Sequence, residues 1–145
     1  VRGSLDDIRS STTPYLSNLL NYQSGLAAIN SKFEYRFTET GQPRPLPPLI
    51  MHNTYFICKE AINNIAKHSG ASFVEGKLAW GKDELTIEIL DNGVGFDVES
   101  INQQGHYGLS IMQERVERIQ GCFDIRSRIG AGTTLAIRIP LNGIK

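Results

Sequence analysis

The sequence predicts an α+β fold, a two-layer sandwich in which a mixed, mainly antiparallel sheet carries helices on one face. Segments that alternate apolar and polar residues are interleaved with segments whose apolar residues recur at helical spacing. The predicted order is helix, strand, helix, two strands, helix, two strands. No internal repeat or linker divides the 145 residues.

The N-terminal half contains two predicted helices and one strand. Residues 1–30 are predicted to be helical, with a break near Pro14. Aromatic residues alternate with polar ones over 33–38, which predicts a half-buried strand, and the proline-rich stretch that follows predicts a loop. A long helix is then predicted from Pro48 to His68, with Gly70 as its C-terminal stop.

The C-terminal half is predicted to hold two hairpins separated by a helix. Tight turns rich in glycine join the strands of each hairpin, and Gly121 is expected to end the helix. The predicted strands are 73–80, 84–90, 122–128 and 133–139, and the helix runs from about Leu109 to Ile119.

Composition excludes several classes of function. The 15 basic and 15 acidic residues balance, so no global field attracts nucleic acid. No apolar run approaches the roughly 20 residues that span a bilayer. Cys58 and Cys122 lie in apolar patterns and are expected to be two buried free thiols in a reducing compartment. The domain is therefore predicted to be cytoplasmic, with membrane attachment of a longer parent left open.

One polar line on the long helix has the chemistry of a nucleotide site. Glu60, Asn64 and Lys67 are spaced i, i+4 and i+7, which places them on one helical face, while Ile57 and Ala61 fall on a neighbouring arc. Amide and carboxylate oxygens suit Mg²⁺, and an ammonium suits phosphate. Taken alone, the line is better explained by the solvated face of an amphipathic helix.

Two glycine segments point the same way. Asp91 directly follows a predicted strand, and its carboxylate there can accept a hydrogen bond from an exocyclic amine. Gly93 and Gly95 let the backbone approach a planar ring. Gly105 and Gly108 precede a helix whose free N–H groups can bind an anion. Each segment alone is also consistent with an ordinary turn.

In this order, the segments resemble the ATP-binding catalytic domain shared by sensor histidine kinases, gyrase, Hsp90 and MutL, which has the Bergerat fold. Glu60-Ala61-x-x-Asn64-x-x-Lys67-His68 resembles the N box, and Asp91-x-Gly93-x-Gly95 the G1 box. Gly105-x-x-Gly108-Leu109 resembles the G2 box, and Gly130-x-Gly132-Thr133 the closing Gly-Thr. The Asn-x-x-Lys-His motif and the helix that begins at Leu109 are typical of kinases whose response regulators carry helix-turn-helix domains.

The resemblance implies a role for each matching residue. Asn64 would ligate Mg²⁺, Glu60 would be the catalytic residue that orients a water or assists transfer, and Asp91 would accept the adenine 6-amino group. Other residues are implied to contact ATP: Lys67, His68, Gly93, Gly95, Gly105, Tyr107, Gly108, Leu109 and Thr133.

The function implied is binding of Mg²⁺-ATP and donation of the γ-phosphate to a histidine on a separate helical hairpin, for onward transfer to a response regulator. None of His52, His68 and His106 fits that acceptor. Residues 1–30 are therefore expected to be the tail of the hairpin with its connection, and 31–145 the catalytic domain. The isolated chain is expected to be a monomer and its longer parent a homodimer.

Two departures and three alternatives accompany this interpretation. The segment between Gly95 and Gly105 is short and lacks an aromatic F box, and, as the second departure, no phosphoacceptor histidine is evident. A serine kinase that acts on an anti-anti-sigma protein has the same fold, and a nucleotide-binding module without transfer activity would keep the same boxes. The third alternative is a gyrase-like ATPase clamp, which needs a lysine from a following domain.

Overall fold

The computed structural model describes residues 16–99 and 107–141, with side chains throughout except at Tyr107 and Gly108. The predicted helical positions before Leu16, together with Gly105 and His106, lie outside the described residues. The elements are α1 (Leu16–Ser31), β1 (Glu34–Thr40), α2 (Pro48–Asn64), a π-turn (Ile65–Ser69), β2 (Phe73–Trp80), β3 (Glu84–Asp91), α3 (Tyr107–Arg118), β4 (Cys122–Ser127) and β5 (Thr133–Pro140).

The described strands form a five-stranded sheet in the order β1-β2-β3-β5-β4. β1 pairs with β2 in parallel, as the intervening α2 crossover allows, and the other three pairs are antiparallel. This architecture confirms the predicted mixed, mainly antiparallel sheet. No strand end differs from its predicted position by more than two residues.

One face of the sheet and the helices enclose the core. Alternate residues of the central strands are buried, as at Ile87 on β3 and Ile137 on β5. The helices supply the opposite layer; its fully or nearly buried members include Leu16, Leu20, Ile57, Cys58, Ala61, Ile62, Met112 and Val116. The predicted core arc of α2 is therefore confirmed.

The two cysteines differ in environment, which corrects the expectation that both are buried. Both thiols are free. Cys58 is fully buried in α2, and burial raises the pKa of its thiol to about 12, so it stays protonated and unreactive. Cys122 is exposed because β4 is an edge strand and the residue points away from the core.

Helix α1 packs on α2 through apolar and polar contacts. Leu16 of α1 is buried. Gln23 Nε2 donates a hydrogen bond to Asn63 Oδ1 at 3.2 Å, and Ser31 Oγ donates one to the Ala66 carbonyl at 2.9 Å. The described part of the N-terminal segment is thus a helix, as expected, and it lies against the helix with the predicted site residues. The domain boundary at residue 30 stays a prediction.

The long helix does not continue as an α-helix to His68. Its α-helical part ends at Asn64, and the next turn, Ile65–Ser69, is a π-turn. Gly70 follows with φ of 63°, a left-handed conformation, so the predicted stop residue is confirmed. A π-turn has an i→i+5 hydrogen bond, and it rotates later side chains about the axis relative to an uninterrupted α-helix.

Helix α3 ends in a Schellman motif whose left-handed position is not occupied by glycine. The left-handed residue is Gln120, with φ of 58°, rather than Gly121. The Gln120 N–H donates to the Glu117 carbonyl at 3.0 Å and the Gly121 N–H to the Val116 carbonyl at 2.9 Å. Glycine is required at 121 because the backbone there passes close to β5: an added Cβ would lie 2.7 Å from the Arg138 carbonyl oxygen.

Candidate functional site

A cavity of about 540 Å³ opens between the sheet and the helices, a size typical of small-molecule sites. Its apolar lining is Ala61, Ile65, Ile89, Val94, Phe96, Leu109, Met112, Ile125 and Leu135. Its polar lining is Asn64, His68, Ser69, Asp91 and Thr133, and the backbone of Gly95 also contributes. The cavity thus combines a broad apolar surface with a few polar groups, the pattern expected where a flat ring is held and oriented.

Asp91 lies at the sheet end of this cavity. As the last residue of β3, its half-buried carboxylate accepts the Gly93 N–H at Oδ1, at 2.8 Å. Burial raises the pKa of the carboxyl, and the bond from Gly93 opposes the rise. Within the described residues, the other carboxylate oxygen has no hydrogen-bond donor, so it can accept one from a ligand.

The loop after Asp91 is anchored to the end of the π-turn and the start of β2. Asn92 Oδ1 accepts the backbone N–H groups of Ser72 and Phe73, both at 3.0 Å. The Val94 N–H donates to the Ser69 carbonyl at 2.8 Å, and a Cβ on Gly93 would collide with that same carbonyl. Glycine is therefore required at 93 because the backbone passes directly over Ser69.

The other side of the loop is attached to the β4–β5 turn. The Gly130 N–H donates to the Val94 carbonyl at 2.6 Å, and the Phe96 N–H donates to Ser127 Oγ at 2.8 Å. Gly95 has φ of 69°, and an added Cβ would collide with the Arg128 carbonyl. The loop over 92–96 is thus fixed on both sides.

Three polar residues form a row across the sheet at this end. Strand register pairs Asp91 with Thr133 and Thr133 with Ser127, and directly paired residues point to the same face. Ser127 Oγ lies 2.8 Å from Thr133 Oγ1. Ser127 was missed by the sequence reasoning, although it continues the inward alternation of Phe123 and Ile125 on β4.

The helix end of the cavity contains only part of the predicted polar line. Asn64 and His68 line the cavity, whereas Glu60 and Lys67 are not among the described lining residues. Lys67 instead lines a shallow groove between α1 and α2. Ala61 also lines the cavity and lies three residues before Asn64 and seven before His68, so the helical arc that faces the sheet lies beside the predicted line rather than along it. The predicted single face from Glu60 through Lys67 is corrected accordingly.

Comparison with known proteins decides the family. Residues 53–143 match the model of the histidine kinase-, DNA gyrase B- and HSP90-like ATPases. The chain belongs to this ATPase family. The resemblance found in the sequence is therefore confirmed.

Curated relatives of this ATPase-family chain are sensor kinases. It is 41% identical to sensor histidine kinase YdfH of Bacillus subtilis, over 63% of this chain and 23% of that protein. It is 32% identical to the histidine-protein kinase/phosphatase DegS of the same organism, over 88% of this chain and 34% of that protein. Sensor protein VraS of Staphylococcus epidermidis is 37% identical, over 79% of this chain and 32% of that protein.

The chain thus spans about a quarter to a third of the length of these relatives. Among solved structures, a histidine kinase domain from the blue-light activated kinase of Erythrobacter litoralis EL346 superposes with a TM-score of 0.69. That match has 17% identity and covers 88% of this chain and 65% of the other, and it shows the shared fold. None of the described helices is long and apolar enough to cross a membrane.

The other predicted site residues that the structure describes include those at the start of α3. Leu109 lines the cavity, Tyr107 and Gly108 begin the helix, and Gly105 is outside the described residues. Farther along α3, the Arg115 guanidinium stacks on Phe56 at 3.8 Å from the ring centroid. This contact attaches α3 to α2, so the two helices that line the cavity are held together.

The donor set fits a magnesium ion that is held mainly by phosphate and water. In the described part of the chain, no group of three or more His, Cys, Asp or Glu residues could hold a metal. Asn64 lines the cavity and offers one amide oxygen. Mg²⁺ bound with nucleotides commonly takes only one or two protein ligands, so a single oxygen at this place suffices.

Proposed function

We propose that the chain is the catalytic domain of a sensor histidine kinase. It binds Mg²⁺-ATP and donates the γ-phosphate to a histidine on a separate helical hairpin, for onward transfer to a response regulator. The observation that carries this proposal is the half-buried Asp91 carboxylate, which keeps one oxygen free at the inner end of an apolar cavity. The kinase names of the relatives support the transfer step.

In this proposal, Asp91 recognises the adenine base. Its free oxygen accepts a hydrogen from the adenine 6-amino group, while the other oxygen is held by Gly93 and fixes the orientation of the carboxylate. Apolar side chains such as Ile89 and Leu135 exclude water from the ring, which strengthens that hydrogen bond. The backbone at Gly95 contributes to the surface on which the ring lies.

In this proposal, residues at the helix end of the cavity bind Mg²⁺ and the phosphates. Asn64 supplies the amide oxygen for Mg²⁺, and bound Mg²⁺ neutralises phosphate charge and orients the phosphates for transfer. His68 lines the cavity, whereas Lys67 lines the groove between α1 and α2, so the contact with the phosphates is assigned to His68. Glu60 orients a water or assists transfer from a position beside the cavity lining. Catalysis by these residues is mainly positioning and charge neutralisation.

The phosphoacceptor belongs to another segment. His52 is exposed at the start of α2, outside the cavity lining, and His68 lies within the lining that holds the nucleotide. We therefore assign the acceptor histidine to the helical hairpin of a homodimeric parent kinase whose catalytic domain is cytoplasmic, and the onward partner to a response regulator with a helix-turn-helix domain. The isolated chain is a monomer in this proposal.

Labelling with γ-³²P-ATP tests the transfer step. The chain alone should bind ATP and incorporate no acid-labile phosphate. The parent's hairpin, added as a separate piece, should become labelled on its histidine, and a hairpin with that histidine changed to alanine is the matched control. Labelling of the isolated chain would contradict the assignment of the acceptor. An unlabelled hairpin, with ATP binding intact, would favour a nucleotide-binding module.

A further inference from the structure

The row of polar residues Asp91, Thr133 and Ser127 begins at the cavity and ends outside its described lining. The row crosses β3, β5 and β4 in register. Asp91 and Thr133 line the cavity, whereas Ser127 lies behind Thr133 and is not among its described lining residues. Any effect of Ser127 on a ligand therefore passes through its neighbours.

The hydrogen bonds of Ser127 use its whole capacity. A serine hydroxyl has one proton to donate and two lone pairs to accept with. Ser127 Oγ accepts the Phe96 N–H at 2.8 Å and donates to the Gly132 carbonyl at 3.0 Å. Its remaining contact is Thr133 Oγ1 at 2.8 Å, so in this arrangement Thr133 is the donor and Ser127 the acceptor.

The alternative direction is disfavoured by burial. If Ser127 turned its proton toward Thr133, it would withdraw a donor from the carbonyl of Gly132, which is buried. Loss of a partner by a buried carbonyl is costly. A carbonyl can only accept, whereas a threonine hydroxyl can do either, so the proton of Ser127 goes to Gly132.

The consequence is a fixed polarity for Thr133. With its proton directed at Ser127, Thr133 Oγ1 presents only lone pairs to the cavity. Asp91, its direct partner on β3, also presents an acceptor. A ligand edge at this place therefore meets two neighbouring acceptors: it is favoured if it carries an amino group and disfavoured if it carries a carbonyl oxygen.

We propose that Ser127 is a positioning residue for base selection, which holds Thr133 as an acceptor and so disfavours purines with an oxo group at position 6. The inference rests on the proposed function, in which Asp91 reads the 6-amino group. It adds to that function a residue that contacts no ligand and yet determines specificity.

Comparison of ATP with inosine triphosphate isolates the effect, because the two differ at position 6 and in the proton on N1. Ser127→Ala frees the Thr133 proton, which can then be donated to the oxo group. The ratio of inosine triphosphate Kd to ATP Kd, measured by calorimetry on the full chain, should fall about three- to tenfold, the effect of one hydrogen bond. Most of the change should be tighter binding of inosine triphosphate.

Three variants separate positioning from general damage. Ser127→Thr keeps the hydroxyl and should retain the ratio of the unmodified chain. Thr133→Val removes the controlled hydroxyl, and in that background Ser127→Ala should leave the ratio unchanged. If Ser127→Ala does not fold, Ser127→Cys makes the same test, because a thiol is only a weak hydrogen-bond donor and acceptor, and the ratio should again fall.

The outcomes distinguish this inference from the proposed function. A ratio that is unchanged in folded Ser127→Ala, or that falls equally in the Thr133→Val background, would overturn the inference alone. Unchanged ATP binding in Asp91→Ala would overturn the proposed reading of the base, and the role of Ser127 with it.

Discussion

The two ends of the cavity are positioned by different kinds of structure. At the sheet end, Asp91, Thr133 and Ser127 occupy one row across three strands, so backbone pairing fixes where they lie. At the helix end, Asn64 and His68 lie on either side of the change from α-helix to π-turn. Strand register follows from an alternation visible in the sequence, whereas the π-turn is a local irregularity. The base end is consequently the more predictable of the two.

The largest expected effect is on the loop that closes the base end. Gly95→Ala should lower the free energy of unfolding by about 3–4 kcal/mol, because it combines a left-handed backbone with a collision against the Arg128 carbonyl. Gly130→Ala is the matched control. Its φ is 86°, yet an added Cβ meets nothing within 4 Å, so it should cost only the ~1–2 kcal/mol of the conformation.

Urea denaturation of both variants measures the difference. Equal losses would mean that backbone conformation alone, and not the close approach of the loop to the β4–β5 turn, requires glycine at 95.

The next effect concerns the base itself. Asp91→Ala should weaken ATP binding roughly ten- to hundredfold, because it leaves a buried amino group without its acceptor, at a cost of ~1.5–3 kcal/mol. Asp124→Ala removes an exposed aspartate from the outward side of β4 and should leave the affinity unchanged. Calorimetry measures both, and a folded Asp91→Ala variant with normal affinity would remove Asp91 from the site.

The raised pKa of Asp91 adds a dependence on pH. Adenosine should bind more weakly as pH falls through this pKa, and the weakening should begin at a higher pH than for an ordinary aspartate, because the ionised carboxylate is the better acceptor. The sign for stability is the opposite. A raised pKa in the folded state contributes stability below the unfolded-state pKa, and that contribution is lost as pH rises through the folded pKa.

Adenosine affinity across the acidic range, with Asp91→Asn as a control that cannot titrate, measures this dependence. Using adenosine avoids titration of the phosphates. A decline of the same size in Asp91→Asn would assign it to another group.

The sequence was sufficient for most of the fold because its periodicities are strong. Alternation along β5 places Leu135, Ile137 and Ile139 inward, and all three are buried. Local hydrogen bonding was harder to foresee. The Schellman motif places Gln120 in the left-handed position, which a preference for glycine does not anticipate. Cys122 lies in an apolar-looking segment, yet its exposure depends on which strand forms the sheet edge.

The site was partly predictable for the same reason. Asp91 and Thr133 belong to recognisable motifs. Asp91 is the last residue of β3 and Thr133 the first of β5, and both line the cavity. Ser127 has no such motif, and its importance depends on a pairing between strands that only the folded sheet reveals. His68 lines the cavity as expected, whereas Lys67 lies outside the lining, because a line of polar residues in the sequence does not show which helical arc faces the sheet.

The smallest expected effect tests this last difference. His68 lines the cavity and Lys67 the outer groove, so His68→Ala should weaken ATP binding about two- to tenfold, the effect of one hydrogen bond. Lys67→Ala, the removal of an exposed charge, should change the affinity less than about twofold. Adenosine binding should be nearly unaffected in both variants, since neither residue belongs to the base end. If Lys67→Ala has the larger effect, Lys67 rather than His68 contacts the phosphates in the ATP-bound chain, and the assignment of His68 to the phosphate end is wrong.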